Sequence, residues 1–234
     1  MDYMTELALS IGEPFTSPAW GSNFVVFAGE SGYPIPEQHT KDYLRRCRKY
    51  AAHYGAWLVP ERFILLGHQC MGLISPEGKV VGAQRAVFAS PVFHPGTERN
   101  PVAEVFPTEH GGVFLCVDVD VYRPEVARIA ASMGAQIIIC SQSISPEDYA
   151  SHMVLTGAWN AAQLAGCYVA AVSSQFSCVC APVRLTAQRD GFLNPPSLKK
   201  PMTQRLCTDK LAQLRRPKPL SRKFYALHRE ELIG

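Results

Sequence analysis

The sequence predicts an α/β fold, and three stretches carry that prediction. Residues 111–140 combine an apolar run, a Pro-Glu pair, apolar residues at helical spacing and a second apolar run. This order predicts a strand, a sharp elbow, a helix and another strand. Glu37–Tyr54 has the pattern of an amphipathic helix. Residues 70–82 have the pattern of a hairpin closed by a Pro-x-Gly turn. Mixed strands and helices in this order indicate an α/β domain.

The elbow in 111–140 is the place where we expect chemistry. Asp118 and Asp120 fall inside the apolar run Val113–Val121, which is predicted as one strand. Pro124 loses no needed N–H near a helix start, and Glu125 suits the positive end of the helix dipole. A strand, elbow and helix lift the elbow side chains into the cleft at the carboxyl ends of the strands.

The remaining elements follow from the same periodicities. Further strands are predicted at Asn23–Ala28, Ala56–Val59, Phe63–Leu66, Ala103–Pro107, Ile137–Ile139, Tyr168–Ser173 and Phe176–Val183. Further helices are predicted from Ser145 to Ala165 and over Leu206–Leu214. Residues 1–22 are poorly patterned, 23–214 form one domain, and 215–234 form a basic tail that we expect on a partner subunit.

Composition narrows the class of protein. The chain has 234 residues, 47% of them hydrophobic and 18% charged, which suits one globular domain. A formal charge of +3 is too small to indicate nucleic-acid binding. No apolar run is long enough for a membrane span, and the N-terminus lacks the pattern of a signal peptide. The eight cysteines are scattered, so we expect reduced thiols and a cytoplasmic protein.

At the elbow the chain resembles the nitrilase, or carbon–nitrogen hydrolase, superfamily. Members have a strand ending Ile-Cys-Tyr-Asp, then two or three residues, Pro-Glu, and a helix closed by Gly-Ala. Aligned without a gap, Pro124 and Asp120 match that pattern and Asp118 takes the position of the nucleophilic cysteine. A second register makes Cys116 the nucleophile but needs two extra residues before Pro124. We prefer the first register, because the chemistry fixes the length of the elbow.

Two other catalytic positions of the family are also altered. The family glutamate follows an apolar strand as Phe-Pro-Glu. Here that strand continues into Gly29, and Glu30 fits only with a one-residue shift. The family lysine follows the Pro-x-Gly hairpin, and Ala86 holds its place with Arg85 beside it. Because neighbouring strand residues point to opposite faces, Arg85 would need a bulge to point inward.

The resemblance implies an α-β-β-α sandwich of two mixed sheets with helices outside. The N-terminal strand and helix of the family are expected to be shortened or missing here. Family members hydrolyse carbon–nitrogen bonds by acyl transfer, with glutamate as base, cysteine as nucleophile and lysine at the oxyanion, and need no cofactor. They pair through the helices after the elbow and after the next strand. We therefore expect a homodimer or a heteromer with a related subunit.

Two functions remain open from the sequence. The first is a catalytically degenerate homologue that binds a small amide-like or carboxylate ligand, or serves as a structural or regulatory subunit, because Gly29, Ala86 and Asp118 replace the catalytic residues. The alternative is an active amidase-type hydrolase that uses Cys116 with Glu30 and Arg85. An active site requires Cys116 in the cleft beside a carboxylate, whereas a degenerate one leaves this thiol buried in the strand.

Several readings of single residues also stay open. Cys116 and Asp118 have the same parity along the predicted strand, so both could face the cleft. Asp118 could attack as a carboxylate, bind a cation with Asp120, or serve as an acidic residue at the helix start. Cys178 and Cys180 resemble a metal pair, but no second pair lies nearby in the sequence, so no metal site is predicted.

Overall fold

The computed structural model describes residues 6–29, 32–88 and 102–214. In this part of the chain the strands, in order, are β1 (Glu6–Gly12), β2 (Phe24–Phe27), β3 (Trp57–Val59), β4 (Phe63–Leu65), β5 (His68–Ile74), β6 (Val80–Arg85), β7 (Val105–Thr108), β8 (Gly111–Val117), β9 (Ala135–Ser141), β10 (Tyr168–Val172), β11 (Ser177–Cys180), β12 (Phe192–Ser197) and β13 (Met202–Cys207). The helices are α1 (Glu37–Tyr54), α2 (Pro124–Ser132), α3 (His152–Val154), α4 (Asn160–Ala165) and α5 (Thr208–Leu214).

The strands form two mixed sheets. The first sheet has the order β13-β1-β2-β3-β5-β4, with β6 paired to β5. The second has the order β12-β11-β10-β9-β8-β7, and its central strands β8, β9 and β10 run parallel. The carboxyl ends of these parallel strands therefore meet at one edge, where Val117, Ser141 and Val172 lie side by side.

Three layers of apolar side chains hold the sheets and helices together. The largest core lies between the sheets and joins residues such as Leu9 and Val26 to Leu115 and Ile139. A second core packs the outer face of the second sheet against α2 and α4. The third packs α1 on the outer face of the first sheet. This is the α-β-β-α sandwich that the sequence predicted.

The N-terminal segment contains a strand that its weak pattern did not reveal. β1 lies inside residues 1–22 and pairs with β2 on one side and β13 on the other. Both neighbours come from distant parts of the chain, which is why local periodicity could not show it. Residues 13–23 then lead to β2 through turns and contain no helix, in keeping with the expected loss of the N-terminal helix.

The prediction of one strand over Val113–Val121 was wrong. β8 ends at Val117, and Asp118–Tyr122 form a 3-10 helix that leads into α2. Asp118 begins this turn with φ 54°, a left-handed conformation that strands exclude. The apolar run continues past the strand because Val121 is buried in the helix-side core, so hydrophobicity alone could not mark the end.

The helix predicted from Ser145 was also partly wrong. Ser145 and Asp148 bond to each other in a turn, and helical structure begins only at His152. Leu155–Trp159 then form a π-helical turn before α4. Gly157 lies in this turn, and a Cβ there would come within 3.0 Å of the Tyr122 ring. The widened turn thus lies where the chain passes close to the elbow.

Two predictions from the sequence concern the C-terminal tail and membrane spans. The basic tail 215–234 lies outside them. In the described part of the chain, no helix is both long enough and apolar enough to cross a membrane.

Candidate functional site

Asp118 occupies the elbow at the carboxyl end of β8. Only 3% of its surface is exposed. Its Oδ1 accepts a hydrogen bond of 2.9 Å from the backbone N–H of Ser143, which follows β9. The same oxygen lies 3.9 Å from Nη1 of Arg62. A buried carboxylate in a left-handed backbone conformation is therefore held by an N–H and faced by a guanidinium.

Arg62 comes from the short connection between β3 and β4 of the other sheet. It too is only 3% exposed. Its Nε donates to Ser141 Oγ at 3.1 Å, its Nη1 to Ser143 Oγ, and its Nη2 to the carbonyl of Gly32. Burial lowers the pKa of Arg62, and the neighbouring Asp118 opposes this shift. The guanidinium thus crosses from one sheet to the other and lies in the cleft at the elbow.

Glu61 fills the space beside Gly29, the residue that the sequence pattern aligned with the family's glutamate. A Cβ on Gly29 would lie 1.5 Å from Glu61 Oε1, so a side chain at position 29 and the present Glu61 conformation exclude each other. The Tyr43 hydroxyl donates to Glu61 Oε2 at 3.2 Å. Burial raises the pKa of Glu61, while Tyr43, Arg62 and Lys200 lower it. A carboxylate is therefore present at this place, but another part of the chain supplies it.

Lys200 closes the same corner of the cleft. Its Nζ donates to the carbonyl of Ala28 at 2.7 Å. The alternative base Glu30 lies outside the described residues. The candidate site thus contains two cations, Lys200 and Arg62, at positions that the family pattern does not assign.

The residues at the family's lysine position do not place a cation between the sheets. Ala86 packs against the core between the sheets. Gln84, two residues earlier, is buried and pairs with Met71 of that core. Arg85 pairs with Cys70 on the opposite face. Burial raises the pKa of the Cys70 thiol to about 11, and Arg85 opposes that shift. No bulge next to Arg85 turns it inward.

Cys116 lies in the core between the second sheet and its helices. It is 3% exposed and packs with the outer face, next to Cys140 of β9. The hydrogen bond with Cys140 and burial both raise the pKa of its thiol well above the usual value. The shared parity with Asp118 predicted from the sequence does not hold, because Asp118 lies beyond the end of the strand.

Asp120 anchors the chain segment that follows β6. Its carboxylate accepts the backbone N–H groups of Val87 at 2.9 Å and Phe88 at 2.8 Å. The Arg123 guanidinium lies 5.0 Å from the centre of the Phe88 ring. Burial raises the pKa of Asp120 to about 7, although the two N–H groups act against the shift. Both carboxylate oxygens of Asp120 are thus engaged by backbone N–H groups.

The open space left in the cleft is small. It measures about 20 Å³, which is room for one water molecule. Its walls include Gly29, Glu61, Arg62, Ser141, Ser173 and Ser174. Within residues 6–29, 32–88 and 102–214, no three histidine, cysteine or acidic side chains are grouped as metal ligands. The sulfur atoms of Cys178 and Cys180 lie 3.9 Å apart, and both residues are buried in the core between the second sheet and its helices.

The comparisons with known proteins rest on structure. No family model and no curated relative matches the sequence. A carbon–nitrogen hydrolase from Helicobacter pylori superposes with a TM-score of 0.71 at 15% identity, over 91% of this chain and 93% of that one. The chain has the nitrilase-superfamily fold. A variant of an amidase from Nesterenkonia sp. bound to butyramide superposes with a TM-score of 0.65 at 17% identity, over 93% and 96% of the two chains.

A second variant of the Nesterenkonia amidase also superposes on this chain. It carries the acetamide moiety of fluoroacetamide on its active-site cysteine, and it superposes with a TM-score of 0.67 at 15% identity over 96% of each chain. All three comparisons thus show the nitrilase-type fold. In the present chain, Asp118 and Arg62 face each other at the elbow.

The sequence did not reveal Arg62 and Glu61, and Ser141 and Ser143 lack the Gly-x-Ser-x-Gly context that would have predicted a role for them. The only local signal for the first two was an adjacent pair of charged residues between two short apolar strands. Such a pair usually marks a solvated turn. Its burial follows from the packing of one sheet on the other, which no local pattern reports.

Proposed function

We propose that this chain is a non-hydrolytic homologue of the carbon–nitrogen hydrolases that acts as a structural or regulatory subunit. The observation that carries the proposal is the pairing of Asp118 with Arg62 at the elbow. The nucleophile of acyl transfer must be free to approach the carbonyl carbon of the substrate. Here the elbow carboxylate faces a buried cation and receives a backbone N–H.

The rest of the cleft supports the same proposal. Arg62 fills the space between the sheets and leaves room for a water molecule, so a small amide or carboxylate enters only if that side chain moves. A role as a subunit requires no such movement. The alternative of an active amidase using Cys116 finds no support among the described residues, because this thiol lies behind the sheet, on the helix side.

Thiol labelling tests the choice between these functions. In the native protein, Cys116 should react with a small electrophile at least about 10³ times more slowly than a free thiol at neutral pH. Both burial and a raised pKa suppress the reactive thiolate. Mass mapping after timed quenching measures the rate at each cysteine. The same protein in urea serves as the control, where all eight thiols should react.

Rapid and selective labelling of native Cys116 would contradict the proposal. A Cys116→Ala variant identifies the labelled site without doubt. Slower labelling of Cys116 after Glu61→Gln would point to an active base–thiol pair.

We further propose that the chain pairs through α2 and α4. Ile129 on α2, Met133 at its end and Leu164 on α4 are each about half exposed, although they are large and apolar. The two helices pack on the same face of the second sheet, so these side chains lie on one outer layer. Large apolar side chains left exposed on two packed helices are typical of a protein contact. The partner is a second copy or a related subunit.

A charge on this surface should weaken the pairing. Ile129→Glu places a carboxylate in an apolar contact and is expected to raise the dissociation constant of the dimer by about 10- to 100-fold. Sedimentation velocity over a range of protein concentrations measures the change. Val80→Glu is the matched control, because Val80 is equally exposed but lies on β6 of the other sheet. The proposed pairing through α2 and α4 would be contradicted if the wild-type chain were monomeric at every concentration, both alone and with a related subunit.

A further inference from the structure

The guanidinium of Arg62 lies in a cradle of oxygen acceptors, and three separate segments of the chain supply it. The cradle consists of Ser141 Oγ, Ser143 Oγ, the Gly32 carbonyl and Asp118 Oδ1. Each of the three guanidinium nitrogens meets a different acceptor. A guanidinium group presents five N–H donors in a rigid planar fork. The cradle therefore matches the shape of this group as well as its charge.

The fold sets the backbone positions of the residues that supply the acceptors. Ser141 is the last residue of β9 and pairs with Val117 and Val172 of the neighbouring strands. Asp118 is held by the Ser143 N–H. Gly32 has φ 67°, and a Cβ there would come within 2.9 Å of Ser174 Oγ. Because strands, an elbow and a close backbone approach set these positions, the cradle should persist when the guanidinium is removed.

We infer that this cleft is a binding site for a planar guanidinium or amidinium group, and that Arg62 occupies it from within the chain. The inference deepens the proposed function and rests on it, because a cleft filled by its own arginine cannot also bind and hydrolyse an amide. A tethered group competes at a high effective concentration, so an external ligand enters only when Arg62 is withdrawn or truncated.

Charge and shape together define the ligand. Urea has the planar shape but no charge, and would leave Asp118 facing a neutral group. Methylammonium has the charge, but its three donors radiate from one nitrogen and cannot reach acceptors arranged around a plane. Leaving buried acceptors without donors costs free energy. Guanidinium should therefore bind more tightly than either analogue.

Truncation of Arg62 provides the test. The full-length Arg62→Ala variant is titrated with guanidinium chloride at millimolar concentrations, far below its denaturing range, with sodium chloride added to constant ionic strength. The melting temperature of the variant should rise in a saturable way, and calorimetry should show one site per chain. The wild-type protein should show no such rise. Urea and methylammonium should bind at least about tenfold more weakly.

A second variant keeps the test decisive if Arg62→Ala does not fold alone. The double variant Arg62→Ala/Asp118→Asn lacks the buried carboxylate that Arg62 faces in the wild type, so it should fold and should not respond to guanidinium. Recovery of folding in Arg62→Ala by guanidinium, and not by urea, supports the site. No saturable response or recovery in Arg62→Ala, or an equal response in the double variant or the wild type, overturns it.

Hydrolysis separates this inference from the proposed function. Ammonia release from small amides by the wild-type chain would refute the proposed function, whatever the titration of Arg62→Ala shows. A titration of Arg62→Ala without binding, beside a wild type without hydrolysis, would refute only the guanidinium site.

Discussion

Arg62→Ala is expected to lower the free energy of unfolding by about 3–5 kcal/mol, because it removes the cation that faces the buried Asp118 carboxylate. The loss includes the hydrogen bonds to Ser141, Ser143 and Gly32. Equilibrium unfolding in urea measures the change. Urea is preferred to guanidinium chloride because the cradle is proposed to bind the latter.

The matched control is the double variant Arg62→Ala/Asp118→Asn. It also removes the buried charge of Asp118, so it should be more stable than Arg62→Ala alone. The free energies of unfolding of the wild type, Arg62→Ala, Asp118→Asn and the double variant form a double-mutant cycle. This cycle isolates the interaction between the two side chains. A urea midpoint for Arg62→Ala within error of the wild-type value would show that the Arg62 guanidinium does not stabilise the fold.

Asp120 is expected to make the protein less stable as pH rises from about 4 to about 7. Its pKa is raised from 3.8 to about 7 in the folded state by burial. The folded chain therefore binds more protons than the unfolded chain in this window, and its advantage disappears as pH passes through the folded pKa. The contribution is on the order of 4 kcal/mol. Urea unfolding at several pH values measures the slope.

Asp120→Asn should flatten this slope. The comparison is made as a difference between variant and wild type, because other groups also titrate. Burial raises the pKa of Glu61, which adds to the slope, and lowers the pKa of His110, which opposes it. Glu125→Gln, an exposed carboxyl on α2, is the control. An identical pH profile for wild type and Asp120→Asn would refute the assignment to Asp120.

Much of the fold could be predicted because short-range sequence patterns determine its elements. α1 has the predicted bounds, Glu37–Tyr54, since its stripe of buried residues repeats at helical spacing. β5 and β6 follow the predicted hairpin, because a Pro-x-Gly turn sets it. β1 could not be predicted, since its partners β2 and β13 supply the pairing that makes it a strand.

The candidate site could be predicted only in part. The alignment of the elbow identified Asp118, because Pro124 and the helix end fix its position in the sequence. Arg62 and Glu61 could not be identified, because their side chains enter the cleft from a connection in the other sheet. Cys116 does not share a face with Asp118, because β8 ends at Val117 and Asp118 has a left-handed backbone, which alternation along the sequence does not reveal.

The measurement that tests the central claim most directly is ammonia release from small aliphatic amides and nitriles by the wild-type chain. We expect no rate above that of the heat-denatured protein, because the elbow carboxylate is paired with Arg62 and the cleft holds only about 20 Å³. Cys116→Ala and Asp118→Asn are measured beside it. Turnover by the wild type that either substitution abolishes would contradict the claim and identify the nucleophile.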